Sequence, residues 1–241
     1  MPPPEQPPAA SGPRGIYADL VPHLSASRLA PYLSATSGNQ RQAISLYQWN
    51  IEVSGAIYQA LHVLEVVLRN AIDRQLRKWN AEQANPATGR PHAAEWLIDP
   101  SALLTRILRD DLGKAAFRAE AATRALGRDL GHDDILAQLT FGSWRYMLPN
   151  RGAPKQALWR EALHQAFPRL ARPETRLVAD IDGLHRLRNR VAHLEPILDS
   201  GRIRGHYLAI RQVLRDIDHR AEEWFVSQQR ITPCLRDRPA S

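Results

Sequence analysis

The chain has 241 residues, of which 44% are hydrophobic, enough to bury the core of one large domain or two small ones. Lysine and arginine outnumber aspartate and glutamate by 32 to 25, and this arginine-rich net charge of +7 either suits a polyanionic partner or reflects compositional bias. The single cysteine, Cys234, excludes a disulfide within the chain and a cysteine-based zinc cluster, and it favours a reducing cytoplasm.

The N-terminal segment is rich in proline, with six prolines in the first 15 residues. Because proline cannot donate a backbone hydrogen bond or continue a helix, we predict a disordered arm over residues 1–15. This start lacks the apolar core of a signal peptide, and no stretch of the chain approaches about 18 uninterrupted apolar residues. We therefore expect a soluble, cytoplasmic protein without membrane contact.

Helical periodicity dominates the first half of the chain. A short helix is predicted around residues 26–35. From residue 39 to about 83, apolar or small residues recur at spacings of three and four, which predicts one long helix, with Gly55 at a kink or a close contact. The segment NPATGRPH ends this pattern. A further helix is predicted over residues 101–126.

The second half continues as shorter helices. LGHDDILAQLTFGSWRYMLPN (residues 130–150) is interpreted as two short helices with a turn at Gly142, and further helices are predicted over 154–167, 173–193 and 204–229. The sequence shows neither strand-like alternation nor a glycine-rich loop after a strand, which argues against a Rossmann or P-loop site. The predicted fold is all-α: a helical bundle with additional short helices, one domain over 16–230 and a flexible tail over 231–241.

The helix predicted over 173–193 carries a charge in its apolar face. At about 100° per residue, Arg188 falls in the middle of the face formed by Leu177, Ile181, Leu184 and Val191. The long helix contains the complementary anomaly, Glu65, between leucines and an isoleucine of its own apolar face. Burying either charge alone would cost several kcal/mol. A buried Glu65–Arg188 ion pair, or a local Glu65–Arg69 pair, is the simplest structural explanation.

His193 adds a group that an ion pair does not need. On an ideal helix it lies about 140° around from Arg188. Pro196 disfavours helical geometry at Glu195, so we expect the last turn to unwind and to bring the imidazole toward the guanidinium. The helix C-terminus and an approaching phosphate would both favour a protonated histidine.

Three sequence blocks carry a family resemblance: LYQWNIEVSGAIYQALHVLEVVLRNAIDRQL (46–76), LTFGSWRYML (139–148) and RNRVAHLEPI (188–197). The last resembles the signature of the HEPN superfamily, in which an arginine followed by a polar residue shortly precedes a histidine. The order and spacing of all three resemble Abi-like proteins, which are bacterial proteins associated with abortive phage infection. The similarity covers roughly residues 40–220. Relatives commonly have a second histidine where this chain has Leu194.

The resemblance implies a HEPN-type bundle that forms a homodimer, with motifs of two protomers meeting in a basic cleft, and a metal-independent endoribonuclease without a cofactor. His193 would act as general base or acid, Arg188 would stabilise the charge on the scissile phosphate, and Asn189 would orient either group. RNA supplies the 2′-hydroxyl as nucleophile, so the products would be a 2′,3′-cyclic phosphate and a 5′-hydroxyl. Supporting or substrate-binding positions are predicted at Arg190, Glu65, Arg69, Asn70 and Glu195. RNA and a second copy are the expected partners, with an antitoxin or a phage-derived trigger as further candidates.

A non-catalytic function stays open as the alternative to the nuclease. The same motif would also suit a non-catalytic module that binds RNA or another protein, or that uses the arginine to hold the fold. No metal site is predicted, because the nine histidines are scattered and form no His-Glu-x-x-His pattern. The adjacent acids in GHDDI (131–135) are interpreted as helix-start residues.

Overall fold

A computed structural model gives the structure of the protein and describes the backbone of residues 13–240 and the side chains of 18–240. This part of the chain folds into helices without a strand, which confirms the all-α prediction. A 3₁₀ turn covers Leu163–Ala166. The helices are α1 (Pro13–Leu24), α2 (Ala26–Ala35), α3 (Gln40–Glu82), α4 (Ala102–Leu108), α5 (Asp110–Ala125), α6 (His132–Gln138), α7 (Phe141–Met147), α8 (Ala153–Glu161), α9 (Glu174–Ala192), α10 (Ser200–Ile217), α11 (His219–Gln228) and α12 (Ile231–Arg236).

The long helix α3 is the central element, and one continuous core forms around it. Its 43 residues begin after Asn39, whose side-chain oxygen accepts a hydrogen bond from the Gln42 amide at 3.1 Å. The helices α1, α2, α7, α9, α10, α11 and α12 all pack against it. By length and composition α3 is apolar enough to cross a membrane, a criterion that the core helix of a bundle also meets.

The predicted boundaries hold best for the strongly periodic helices. The helix predicted over 26–35 matches α2, and those predicted over 39–83 and 173–193 match α3 and α9 to within one residue at each end. The chain runs through Gly55 without interrupting α3. An added Cβ at Gly55 would meet no atom within 4 Å, so the predicted close contact is wrong.

Four predicted elements differ from the structure. The helix over 154–167 ends at Glu161 of α8, and the 3₁₀ turn follows it. The helix over 101–126 is divided into α4 and α5 at Arg109, whose φ of 46° lies in the left-handed region. The helix over 204–229 is divided into α10 and α11 at the extended residue Asp218, which caps α11 by accepting the Arg220 amide at 2.7 Å. Gly142 lies inside α7, and the turn before that helix falls at residues 139–140.

The C-terminal segment is ordered by packing. Residues 231–236, predicted as part of a flexible tail, form α12 with Ile231, Cys234 and Leu235 buried. The backbone oxygen of Cys234 accepts a hydrogen bond from the Trp49 indole at 2.6 Å, which joins α12 to α3. Of the predicted N-terminal arm, residues 1–12 lie outside the described residues, and 13–15 begin α1.

A buried carboxylate fastens the C-terminal half of α3. Asp73 accepts hydrogen bonds from Trp96 Nε1 at 2.8 Å, His132 Nε2 at 2.8 Å and Arg77 Nε at 2.9 Å. Burial raises the pKa of Asp73, but these three donors outweigh it and lower the pKa below its ordinary value. The carboxylate therefore joins α3 to the segment before α4 and to the first residue of α6.

The acidic residues of GHDDI support α6 and its connections, as expected for a helix start. Asp134 accepts the Gly131 amide at 2.9 Å and pairs with Arg128, which holds the pKa of Asp134 at about 2. Asp133 is exposed and pairs with Arg77 at 2.8 Å. These contacts give both carboxylates a structural role.

Candidate active site

Helix α9 presents Arg188 to the core side of the bundle. The predicted apolar face of α9 is buried, and Leu187 joins it: Leu177, Ile181, Leu184, Leu187 and Val191. Arg188 itself is half-buried, and its charge acts on Glu65 of α3 and on His185 of α9. The arginine in the apolar stripe therefore lies where α9 meets α3.

Glu65 is desolvated without a direct ionic partner. Burial raises its pKa, while Arg188, Arg69, His62 and a hydrogen bond from the Phe141 amide oppose that rise. Among the described residues Glu65 forms no salt bridge with either arginine. The Glu65–Arg188 and Glu65–Arg69 pairs are therefore electrostatic neighbours and lack the direct contact that the sequence suggested.

His185 belongs to the same cluster and was missed in the sequence analysis. Its ring lies parallel to that of Phe141, with 5.9 Å between ring centroids. A Cβ added at Gly142 would lie 3.3 Å from His185 Nε2, so the imidazole rests against the start of α7. Burial, Arg145 and Arg188 lower the pKa of His185 and favour the neutral ring. The sequence signal was its position three residues before Arg188, on the same helix face.

Arg145 of α7 completes the positive side of this cluster. It hydrogen-bonds Asp182 of α9, which raises the pKa of the arginine. We call Glu65, Arg145, His185 and Arg188 the α3–α7–α9 cluster. It combines two guanidinium groups, a neutral imidazole and a partly buried carboxyl, and is suited to hold an anion beside a group that can accept a proton.

The end of α9 differs from the predicted unwinding. The helix stays regular to Ala192, with His193 as its C-cap at φ −88° and ψ 9°. The amides of Leu194 and Glu195 bond the carbonyls of Val191 and Arg190 at 3.0 and 2.9 Å, which is the Schellman pattern. The chain therefore reverses after His193, at Leu194, where φ is 58°.

His193 lies at the solvent-exposed C-cap of α9. His193 is exposed, and none of the described side chains hydrogen-bonds to it. Within one chain Arg188 interacts with groups of α3 and α9, whereas His193 stands at the open helix terminus. The two side chains therefore differ in environment within one chain: Arg188 is half-buried against α3, and His193 is exposed.

Leu194 adopts the left-handed conformation that glycine or asparagine occupies at lower cost. For an L-residue with a Cβ this costs about 1–2 kcal/mol, and its side chain is 68% exposed. Leu194→Gly should therefore raise the free energy of unfolding by up to about 1 kcal/mol. The gain is smaller than the strain itself, because glycine also increases the conformational entropy of the unfolded chain. Urea unfolding measures the change.

Leu208→Gly is the control for this prediction. Leu208 is 57% exposed inside α10, so the same substitution there should destabilise the protein by about 1 kcal/mol. A loss of stability of similar size in both variants would show that Leu194 is not strained.

The other predicted site residues fall in different places. Arg190 lies about 160° around α9 from Arg188, and it bonds Glu195 at 3.0 Å and the carbonyl of Pro196 at 2.7 Å. It does not share a face with Arg188, as a role on a flanking phosphate of the same site would need. The backbone carbonyl of Asn189 accepts the His193 amide. Arg69 Nε bonds the Asn70 amide oxygen at 3.4 Å.

An apolar groove adjoins His193. It has a volume of about 530 Å³ and is lined by residues of α3 and of the α9 terminus, among them Gly55 and Val191, and by Arg28 of α2. Three of its large apolar residues are exposed: Ile51 (54%), Tyr58 (57%) and Leu194 (68%). Asn50 fixes the chain below the groove, since its side-chain oxygen accepts the Ile197 amide at 2.7 Å. We call Ile51, Tyr58 and Leu194 the groove patch.

Neither comparison with known proteins nor a possible metal site identifies the function of this site. No protein-family model, curated protein or solved structure matches the chain. Across residues 18–240, His, Cys, Asp and Glu side chains form no group of three or more arranged to hold a metal ion. The Abi-like and HEPN assignments therefore stay predictions from the sequence resemblance.

Proposed function

We propose that the protein is a metal-independent endoribonuclease of the phage-defence or toxin type that acts as a homodimer. In this proposal the 2′-hydroxyl of the substrate attacks the adjacent phosphorus and the 5′-oxygen leaves. The bond from phosphorus to the 5′-oxygen breaks as the bond to the 2′-oxygen forms. One group removes the proton of the hydroxyl and another protonates the leaving oxygen, which gives a 2′,3′-cyclic phosphate and a 5′-hydroxyl.

His193 and Arg188 divide this chemistry between them. An exposed imidazole can reach a bound strand and exchange a proton with it. The half-buried guanidinium of Arg188 supplies fixed positive charge where the phosphorane becomes more negative. Asn189 and the basic side chains around Arg188 hold the RNA strand in place.

The observation that carries the proposal is the groove patch beside His193. Ile51, Tyr58 and Leu194 expose a large fraction of their apolar surface in the groove whose lining includes both chain neighbours of His193, and Leu194 does so in a strained conformation. A second copy packed on this patch would bury apolar surface and bring two α9 termini together. Each dimer would then place the His193 and Arg188 side chains of both copies around one cleft.

The proposal is tested on purified protein with a labelled single-stranded RNA in EDTA. We expect cleavage without added metal and a 2′,3′-cyclic phosphate on the 5′ product, detected by mass spectrometry. A matched oligonucleotide with 2′-deoxyribose throughout should stay intact, because it lacks the nucleophile. Cleavage of the deoxy strand, or loss of RNA cleavage in EDTA, would overturn the mechanism.

Tyr58→Glu tests the dimer. A carboxylate placed in the groove patch would have to be desolvated in the interface, so we expect dimer affinity and cleavage rate to fall by at least about tenfold. Sedimentation velocity and the RNA assay measure the two effects. Phe117→Glu, at a position that is 74% exposed on α5, is the control with the same change in charge. Equal behaviour of the two variants would contradict a dimer through this patch.

The second candidate function is a non-catalytic RNA-binding or protein-interaction module. The observation that favours it is the position of Arg188 beside the partly buried Glu65, since a guanidinium that offsets the burial of a carboxyl has a role in helix packing without any chemistry. This candidate predicts RNA association without cleavage in the parent protein. A cytoplasmic location and control by an antitoxin or a phage-derived trigger stay predictions with either function.

A further inference from the structure

A basic groove lies between α9 and α10, away from the α3–α7–α9 cluster. Gly183, Arg186 and Arg190 recur at helical spacing along one face of α9, and Arg202, Gly205 and His206 do the same on α10. Together they line a pocket of about 440 Å³, within the range of small-molecule sites. The two glycines leave the space between the helices open, because neither carries a side chain.

The charges around this groove are unbalanced. Arg190 pairs with Glu195 and Arg202 with Asp199 at 3.3 Å, and both acids stand at the end of the groove where α9 leads into α10. Arg186 has no ionic partner among the described residues. Three guanidinium groups therefore face the pocket with two carboxylates at its end.

The excess of positive charge in the groove also acts on His206. Burial lowers its pKa, and Arg190, Arg186 and Arg202 lower it further. The His206 imidazole and three guanidinium groups line the cavity, and Arg186 forms no salt bridge within the described residues. Because only Arg190 and Arg202 are paired with carboxylates, the groove keeps an excess of positive charge and hydrogen-bond donors for an oxyanion.

The geometry points to a binding site for a phosphate monoester of about mononucleotide size, with the phosphate held by Arg186, Arg190, Arg202 and His206. A terminal phosphate carries nearly two negative charges at neutral pH, whereas a backbone phosphodiester carries one. Three guanidinium groups match the dianion better. The site lies on a different face of α9 from Arg188, so it does not depend on the proposed nuclease.

The test is a binding titration of the full chain without RNA, with the His206 imidazole followed by NMR. Inorganic phosphate and 5′-AMP should shift the His206 signals and raise the pH at which the ring titrates, because a bound dianion stabilises the imidazolium. Dimethyl phosphate, a monoanionic diester, should bind at least about tenfold more weakly than 5′-AMP, and adenosine should not bind. Equal binding of the diester, or no response of His206 to phosphate, would overturn the site.

Variants give an independent measurement by calorimetry at constant ionic strength. Arg186→Gln and Arg202→Gln should each weaken 5′-AMP binding by at least about tenfold. Arg106→Gln, which removes an exposed arginine on α4, should leave the affinity unchanged. A uniform effect of all three variants would show a general response to net charge and would reject the pocket. Thermal unfolding of each variant establishes that it is folded.

Discussion

Replacing His193 by alanine should lower the rate of RNA cleavage by about 100- to 10,000-fold, the usual contribution of a positioned general acid or base. The imidazole is exposed at the end of α9, and none of the described side chains hydrogen-bonds to it, so its removal should leave the core intact. RNA affinity should stay within a few-fold of the parent value, because Arg188 and the neighbouring cations are retained. Single-turnover rates and fluorescence anisotropy measure the two quantities on the same RNA.

His23→Ala is the matched control, since His23 is also exposed and lies at the end of α1. It should cleave at the parent rate. Undiminished cleavage by the His193 variant would remove that residue from the mechanism. Parent protein that binds RNA but never cleaves it would support the non-catalytic module.

Periodicity predicted the elements whose packing face is long and regular. In α2, α3 and α9 the apolar spacing agrees with the buried face, and the capping residue Asn39 marks one of the boundaries. The division at Arg109 has no comparable signal, because arginine has no preference for a left-handed conformation and tertiary packing imposes it. The division at Asp218 did have a signal in the sequence. Aspartate is a favoured N-cap residue, so its presence within the predicted helix could have indicated that a new helix begins there. The tail was misjudged because α12 is short, and its burial depends on Trp49, far away in sequence.

In the candidate site, helix periodicity predicts which face a residue occupies but not which residues of other helices it contacts. Angular position placed Arg188 in the buried face of α9, and the structure agrees. The same arithmetic separates Arg188 from Arg190 by about 160°, yet their closeness in sequence suggested that Arg190 would hold a phosphate flanking the same site. The position of His185 on the same face of α9 as Arg188 could be predicted from the sequence. Its environment could not, because only the tertiary fold brings Phe141, Gly142 and Arg145 next to it. The left-handed Leu194 could not be predicted from its residue type.

Asp73→Ala should cost about 3–5 kcal/mol of stability, the largest effect expected for a single substitution in this core. The change leaves the indole of Trp96, the imidazole of His132 and one contact of Arg77 without their acceptor in the interior. For a chain of this size, the loss corresponds to a fall in Tm of about 6–20 °C. Thermal unfolding followed by circular dichroism measures it.

Asp133→Ala provides the control for this prediction, because Asp133 also pairs with Arg77 but its side chain is 85% exposed. Its removal should cost less than about 1 kcal/mol. The pH dependence separates the two further. The pKa of Asp73 is lower in the folded protein than its ordinary value of 3.8, so its contribution is present above that value and is lost as the pH falls through the folded pKa. The stability difference between the parent protein and Asp73→Asn should therefore shrink on acidification below about pH 4. A difference that stays constant down to pH 2 would show that Asp73 stabilises the fold by packing and not by its charge.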